Sequence, residues 1–268
     1  MRQRIPSEAA ILDAAGMSHP QLSGAAEKLL SLLATGLAAF LGGSVALACG
    51  CAADHGAALW AGVLALAGHL VVRERRDAAA TVDSRRRDRA DVAAMVVGGA
   101  GVLLAARSGP GLVGAGIAAG VLGWLASRSN PAPGPTAQAL MAAVCLWWVV
   151  TGTDQAHRHS LSAMGALIGV GPALLLASAR LHASRGVGGR GIAALTAVCG
   201  QAWTAGWWWA EWLPTAAVWA LPSAVVSLAA LLCLHLHRNT AGRWLAWGAA
   251  LLHIGLLAAS LWQVVALR

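Results

Sequence analysis

Long runs of apolar residues, separated by short polar connections, divide most of the chain. Nine runs approach the roughly 20 residues that a helix needs to cross the hydrocarbon core of a bilayer. They are continuous and rich in leucine and alanine, and they lack the alternating pattern of membrane β-barrels, so they predict helices. The predicted spans are residues 29–50, 56–72, 92–107, 111–127, 136–152, 161–179, 192–210, 214–236 and 245–267.

The composition favours an all-α polytopic membrane protein. Of 268 residues, 58% are hydrophobic and only 11% are charged, whereas a soluble domain carries about 25% charged residues. So few charges cannot cover a surface that faces water. We expect residues 1–27 to be a cytoplasmic N-terminal segment and residues 28–268 to be one helical transmembrane domain. No signal peptide is expected, because residues 1–27 are polar and contain no apolar core.

The connections between the predicted spans differ in charge. Those that follow the even-numbered spans are longer and rich in arginine, whereas the others are brief and carry few basic residues. Basic residues accumulate on the cytoplasmic side of membranes. We therefore expect a bacterial inner-membrane protein with its N-terminus in the cytoplasm and its C-terminus on the opposite side. The same arginines explain the net charge of +8, so a nucleic-acid partner is not expected.

Small residues and prolines predict how the helices meet. Gly165, Gly169 and Gly171 recur at helical spacing in the sixth span, and small residues let membrane helices approach closely. Pro172 and Pro222 predict kinks in the sixth and eighth spans.

The charged segment 73–91 interrupts the apolar pattern. It holds seven of the 19 basic residues and five of the 11 acidic ones. One interpretation is a solvated loop that fixes topology, with local ion pairs such as Asp83 with Arg86 or Arg87. The other is a substrate-binding loop at the membrane surface.

The residues around the start of this segment carry a resemblance. Gly68-His69-Leu70, followed by Arg73-Glu74-Arg75-Arg76-Asp77, resembles the end of the second helix in the UbiA superfamily of intramembrane prenyltransferases. Members of that family typically read G-H-L and then N-D-x-x-D-R-x-x-D. Nine helices, an inward N-terminus and charged connections after the second and sixth helices are also the family's plan.

The resemblance implies transfer of a prenyl group from an isoprenoid diphosphate to a lipophilic or aromatic acceptor. In such enzymes two Asp-rich loops hold Mg²⁺, which bridges the diphosphate and assists its departure. By resemblance, Glu74 and Asp77 are the catalytic and metal-binding acids, and Asp83 is a displaced third ligand. The family's Asn falls on Arg73.

The second Asp-rich loop of the family falls on residues 179–191, which contain no acid. Arginines stand there instead, and their planar, permanently charged side chains suit direct contact with phosphate. The predicted diphosphate-binding residues are Arg73, Arg76, Arg180, Arg185, Arg190, His69 and His182.

Two functional classes follow from this departure. In the first class, the protein is a prenyltransferase-like enzyme, with membrane lipid and an isoprenoid diphosphate or polyprenyl lipid as partners. Alternatively, it is a non-catalytic protein of the UbiA fold that binds lipid, or an accessory subunit or transporter that docks protein partners. Convergence of residues 73–83 and 180–190 over one cavity favours the first class.

Overall fold

The protein is helical throughout the part of the chain that its structure describes. A computed structural model describes residues 19–50, 54–81, 84–108, 134–158, 163–182, 187–211, 213, 215–236 and 239–267. These residues form eight α-helices and one 3₁₀ helix, with no strand among them. The all-α prediction is confirmed for them. The predicted span at 111–127 lies outside the described residues.

The helices follow the predicted runs and extend several of them. Helix α1 begins at His19, so the expected boundary between residues 27 and 28 falls inside a helix. In chain order the elements are α1 His19–Ala48, α2 His55–Thr81, α3 Ser84–Ser108, α4 Pro135–Arg158, α5 Ala163–Leu181, α6 Val187–Trp209, a 3₁₀ helix Thr215–Ala220, α7 Pro222–His235 and α8 Asn239–Ala266.

Four of the described helices are long and apolar enough to cross a membrane. They contain the stretches Ala25–Ala48, Thr136–Arg158, Ala163–Leu181 and Thr240–Ala266, in α1, α4, α5 and α8. These four pack in a closed ring, because α1 and α5 each contact both α4 and α8. Leu41, Val150, Leu176 and Leu257 are buried in the centre of the ring. The apolar ring indicates a helical membrane protein.

The remaining helices surround this ring. Helices α2 and α3 pack against each other, and α2 joins the pair to α1 and α4. Helix α6 lies on α5, whereas α7 and the 3₁₀ helix lie on α8.

The charged segment is helical, so the prediction of a loop is wrong over residues 73–81 and 84–91. Helix α2 continues to Thr81, and α3 begins at Ser84. Arginine, glutamate and the alanines at 78–80 all favour helix. A helix can leave the hydrocarbon where its charged residues begin and still continue as a helix in the aqueous region.

The two prolines act differently. Pro172 lies inside α5, as expected. Pro222 is the first residue of α7, so the predicted kink is wrong and the eighth predicted span is divided into a 3₁₀ helix and an α-helix. Proline suits the first position of a helix, where its missing N–H is not needed.

Glycines allow α5 and α6 to touch through their backbones. A Cβ atom on Gly200 would lie 2.9 Å from the carbonyl oxygen of Gly171 and 3.0 Å from Leu175 Cγ. A Cβ atom on Gly171 would lie 3.0 Å from the carbonyl oxygen of Gly200. The predicted packing through small residues is confirmed at this crossing.

We expect Gly200→Ala to destabilise the protein by about 1–3 kcal/mol, because the added methyl group forces two backbones apart. Gly206→Ala on the same helix is the matched control, since a Cβ atom there meets nothing within 4 Å. Thermal unfolding in detergent measures both. Equal melting temperatures for the two variants would contradict the close crossing.

Candidate functional site

Charged residues of several helices meet at one end of the bundle, where α1 begins and α2 and α5 end. Lys28 Nζ of α1 lies 3.4 Å from Asp77 Oδ2 of α2. Arg75 Nε of α2 lies 3.0 Å from Asp91 Oδ1 of α3. We call this the charged end. Its ion pairs connect α1, α2 and α3.

Glu74, a predicted catalytic acid and metal ligand, is bound by an arginine of the next helix. Arg86 Nη2 donates a hydrogen bond to Glu74 Oε2 over 3.0 Å, and Arg86 Nε donates to Oε1. This bidentate hydrogen bond lowers the pKa of Glu74 from its ordinary value. Glu74 is therefore a carboxylate whose two oxygens both accept from a guanidinium group.

Asp77, the second predicted acid, also faces cations. Besides Lys28, Arg73 Nε lies 4.0 Å from Asp77 Oδ2. The third expected ligand, Asp83, lies outside the described residues. Within the described ranges no group of three or more His, Cys, Asp or Glu side chains is placed to hold a metal ion. The described acids thus do not form a ready set of Mg²⁺ ligands.

A polar cluster lies deeper in the bundle, between α1, α2 and α5. His69 Nε2 lies 3.3 Å from Ser31 Oγ, and His69 Nδ1 lies 3.2 Å from Thr35 Oγ1. Arg180 Nη2 donates to Ser31 Oγ over 2.8 Å. Ser31 and Thr35 are buried. We call Ser31, Thr35, His69 and Arg180 the hydroxyl–arginine cluster.

Arg180 is oriented by an aromatic ring as well. Its guanidinium carbon lies 5.7 Å from the centroid of the Trp247 ring on α8, within the range of a cation–π interaction. Arg180 and His69 share Ser31 as a hydrogen-bond partner, and Arg73 follows His69 by one turn of α2. His69 and Arg180, both predicted to bind diphosphate, are therefore joined through one serine.

The other predicted diphosphate-binding residues are not part of this cluster in the described contacts. Neither His182 nor Arg190 makes a hydrogen bond or ion pair with its members in the described ranges. His182 is buried, its Nδ1–H donates to the carbonyl oxygen of Ser178 over 2.8 Å, and it lines a gap with room for about one water molecule. Arg190 is half-buried in the first turn of α6. Arg185 lies outside the described residues. The structure does not describe the environment of the Arg76 side chain either.

A buried ion pair at the opposite end of the bundle was not predicted. Asp154 is fully buried, Arg158 Nε donates to its Oδ1 over 2.6 Å, and the backbone N–H of Gly165 donates to its Oδ2 over 3.1 Å. Arg158 Nη2 also donates to the carbonyl oxygen of Val45, over 3.3 Å. The pair thus joins α1, α4 and α5. Its signal in the sequence is an Asp and an Arg four residues apart at the end of an apolar run.

A second unpredicted network lies around His253, in the middle of α8. His253 is fully buried, with Ser223 Oγ 2.8 Å from its Nδ1 and Thr204 Oγ1 3.0 Å from its Nε2. Gln201 Nε2 donates to Ser223 Oγ over 3.1 Å. Both ring nitrogens have partners, so the network joins α6, α7 and α8. Its members are scattered over three predicted spans and give no local motif.

The predicted site residues that the structure brings together are therefore His69 and Arg180, with Ser31 and Thr35 added from α1. Comparison of the chain with protein-family models, with curated proteins and with solved structures finds no match.

We expect Asp154→Asn to destabilise the protein by about 3–5 kcal/mol, because it leaves the Arg158 charge without its buried partner. Asp88→Asn is the control, since Asp88 is exposed and such substitutions usually change stability by less than about 0.5 kcal/mol. Thermal or denaturant unfolding in detergent measures the difference. Similar melting temperatures for both variants would show that the pair does not hold the helices together.

We expect the stabilising effect of Glu74 to depend on pH. Because its folded-state pKa is lowered, the ion pair with Arg86 contributes fully above the unfolded-state pKa and is lost as the pH falls through the folded-state pKa. Wild type should therefore melt above Glu74→Gln at neutral pH, and the gap should close in acid. A gap that is independent of pH would rule out the ionised pair as its cause.

Proposed function

We propose that this chain is a UbiA-like membrane protein that binds an isoprenoid diphosphate, or the phosphate of a related polyprenyl lipid, at its charged end. The observation that supports this most directly is that Arg180 and His69 share Ser31 as a hydrogen-bond partner, with Arg73 one helical turn after His69. Arg180, His69 and Arg73 come from the two segments that the resemblance assigns to diphosphate binding. In this proposal the chain has nine spans, including residues 111–127, and its charged end faces the cytoplasm of a bacterial cell.

The chemistry of the cluster suits a phosphate group. The Arg180 guanidinium group is planar and always charged, so it can donate two parallel hydrogen bonds to phosphate oxygens. Ser31 and Thr35 add hydroxyl groups within the same buried site. Partial exclusion of water strengthens each of these interactions. The Trp247 ring restricts the guanidinium group, which reduces the entropy that binding costs.

Binding does not require Mg²⁺ in this proposal. Arginines stand where the family has its second Asp-rich loop, and the acids of the first motif, Glu74 and Asp77, are paired with cations. Guanidinium groups would then neutralise the diphosphate in place of a metal ion. If Mg²⁺ binds at all, Glu74 and Asp77 are the residues to hold it, after Arg86 and Lys28 have released them.

The ion pairs at the charged end also bear on catalysis. The resemblance favours prenyl transfer to a lipophilic or aromatic acceptor. The pairing of Glu74 with Arg86 favours the second candidate, a non-catalytic lipid-binding or accessory protein, because both oxygens of a presumed metal ligand are engaged. Binding of the diphosphate is common to both candidates and is the claim to test first.

We expect the full chain, in nanodiscs of uncharged lipid, to bind farnesyl diphosphate in the presence of EDTA. Arg180→Gln should weaken binding about 10-fold to 100-fold, since a charge-assisted hydrogen bond contributes about 1.5–3 kcal/mol. Arg87→Gln is the matched control, because Arg87 is exposed on α3 and the change in charge is the same. Isothermal titration calorimetry measures all three proteins.

The outcomes separate the candidates. Failure of the wild type to bind, with or without Mg²⁺, would show the proposal to be wrong. Binding that requires Mg²⁺ and disappears in Glu74→Gln would replace arginine recognition by a metal mechanism. An equal loss of affinity in Arg87→Gln would show that the effect depends only on the net charge of the protein. Product formation with an added acceptor would then decide between enzyme and binding protein.

A further inference from the structure

The outward face of α3 carries an ordered stripe of exposed side chains. Two arginines begin it, three large apolar residues follow, and another arginine ends it. At 3.6 residues per turn these positions fall within about 60° of the helix surface. The stripe consists of Arg85, Arg89, Val92, Val96, Leu103 and Arg107, all exposed.

The length of the stripe matches a bilayer. Arg89 and Arg107 are 18 positions apart in the chain, which corresponds to about 27 Å along an α-helix. The hydrocarbon core of a bilayer is about 30 Å thick. Arginine side chains can extend toward the head groups while their stems remain in the apolar region. In a membrane that α3 crosses, the apolar positions would face acyl chains and the arginines would lie at the two head-group layers.

The stripe has positive charge that the described residues do not neutralise. Arg86, on another face of α3, pairs with Glu74, and Arg75 of α2 pairs with Asp91. Arg85 and Arg89 make no ion pair within the described ranges. Asp88, at the edge of the stripe, makes none with them there either. Glu74 of α2 and Asp91 of α3 are thus paired with arginines of the neighbouring helix. The guanidinium groups of Arg85 and Arg89 remain on the outward face of α3.

We propose that this stripe binds an anionic phospholipid, with the negatively charged head group on Arg85 and Arg89 and the acyl chains along Val92, Val96 and Leu103. Two arginines one helical turn apart can share the phosphate oxygens of one head group. A lipid that carries net negative charge fits better than a zwitterionic one, whose ammonium group the arginines repel. A second copy of the chain fits poorly, because a parallel symmetric contact would place Arg85 and Arg89 against their own copies.

This inference goes beyond diphosphate binding and does not rest on it. It requires only that α3 lies in the membrane with its stripe toward lipid. The hydroxyl–arginine cluster, between α1, α2 and α5, shares no residue with the stripe.

The test is native mass spectrometry of the full chain, released from detergent containing equal amounts of phosphatidylglycerol and phosphatidylcholine. Wild type should retain phosphatidylglycerol preferentially. Arg89→Gln should weaken its retention about fivefold and Arg85→Gln/Arg89→Gln about 25-fold, from the usual contribution of a basic residue near an anionic surface. Arg87→Gln is the matched control, since it removes one exposed arginine from a different face of the same helix.

Three results would overturn the proposal. They are equal retention of the two lipids by wild type, an equal loss in Arg87→Gln and Arg89→Gln, and a lipid-free dimer that Arg89→Gln alters. If the double variant fails to fold by gel filtration, Arg89→Lys replaces it. That variant should bind less phosphatidylglycerol than wild type but more than Arg89→Gln, because lysine keeps the positive charge but lacks the planar guanidinium group that donates two parallel hydrogen bonds. Equal retention of phosphatidylglycerol by wild type, Arg89→Lys and Arg89→Gln would also reject the site.

Discussion

Every polar group inside this bundle must find its partner within the protein, because hydrocarbon offers none. The described structure meets this constraint for three buried groups, whereas His182 Nε2 and Trp247 Nε1 are buried without a hydrogen-bond partner among the described residues. Asp154 is paired with Arg158 at one end. His253 is bound by two hydroxyl groups in the middle, and His69 is bound by two hydroxyl groups near the charged end. Each of these groups joins separate helices, so satisfying the polar groups also fixes the helix arrangement.

The same constraint shapes the candidate site. Arg180 ends an apolar helix, and it is stabilised there by Ser31 and by the Trp247 ring. A guanidinium group at this depth lies in a partly dry environment, where electrostatic interactions are stronger than at an exposed surface. At the surface, by contrast, Glu74 and Asp77 form ion pairs with cations of neighbouring helices. The acids of the charged end therefore stabilise the contacts between α1, α2 and α3.

Hydropathy predicted the parts of the fold that depend on the partition of side chains into lipid. The runs that became α1, α4, α5 and α8 were found in this way, because their apolar residues face both lipid and one another. It missed the helical continuation through residues 73–81, since a hydropathy scale measures transfer to lipid and takes no account of helix propensity. It also missed the break before Pro222, where a short 3₁₀ helix occupies part of a predicted span.

The site was predicted only where a resemblance pointed to it. Residues 68–77 and 179–191 were selected by resemblance, and the structure joins His69 and Arg180 through Ser31. The partners of these residues could not be read from the sequence, because they depend on which helices pack side by side. An ion pair of Asp83 with Arg86 or Arg87 was expected within the segment, and the bidentate bond of Arg86 to Glu74 of the preceding helix was not foreseen. Ser31 carries no motif and becomes a site residue only through the packing of α1 against α2 and α5.

The most direct test of the central claim is a cryo-electron microscopy structure of the full chain in nanodiscs with a non-hydrolysable farnesyl diphosphate analogue. We predict phosphate oxygens within hydrogen-bonding distance of Arg180 and Ser31, with no metal ion between them, and with the Glu74–Arg86 pair intact. A diphosphate bound through Mg²⁺ to Glu74 and Asp77, with Arg86 and Lys28 displaced, would contradict it. So would an analogue bound away from the hydroxyl–arginine cluster.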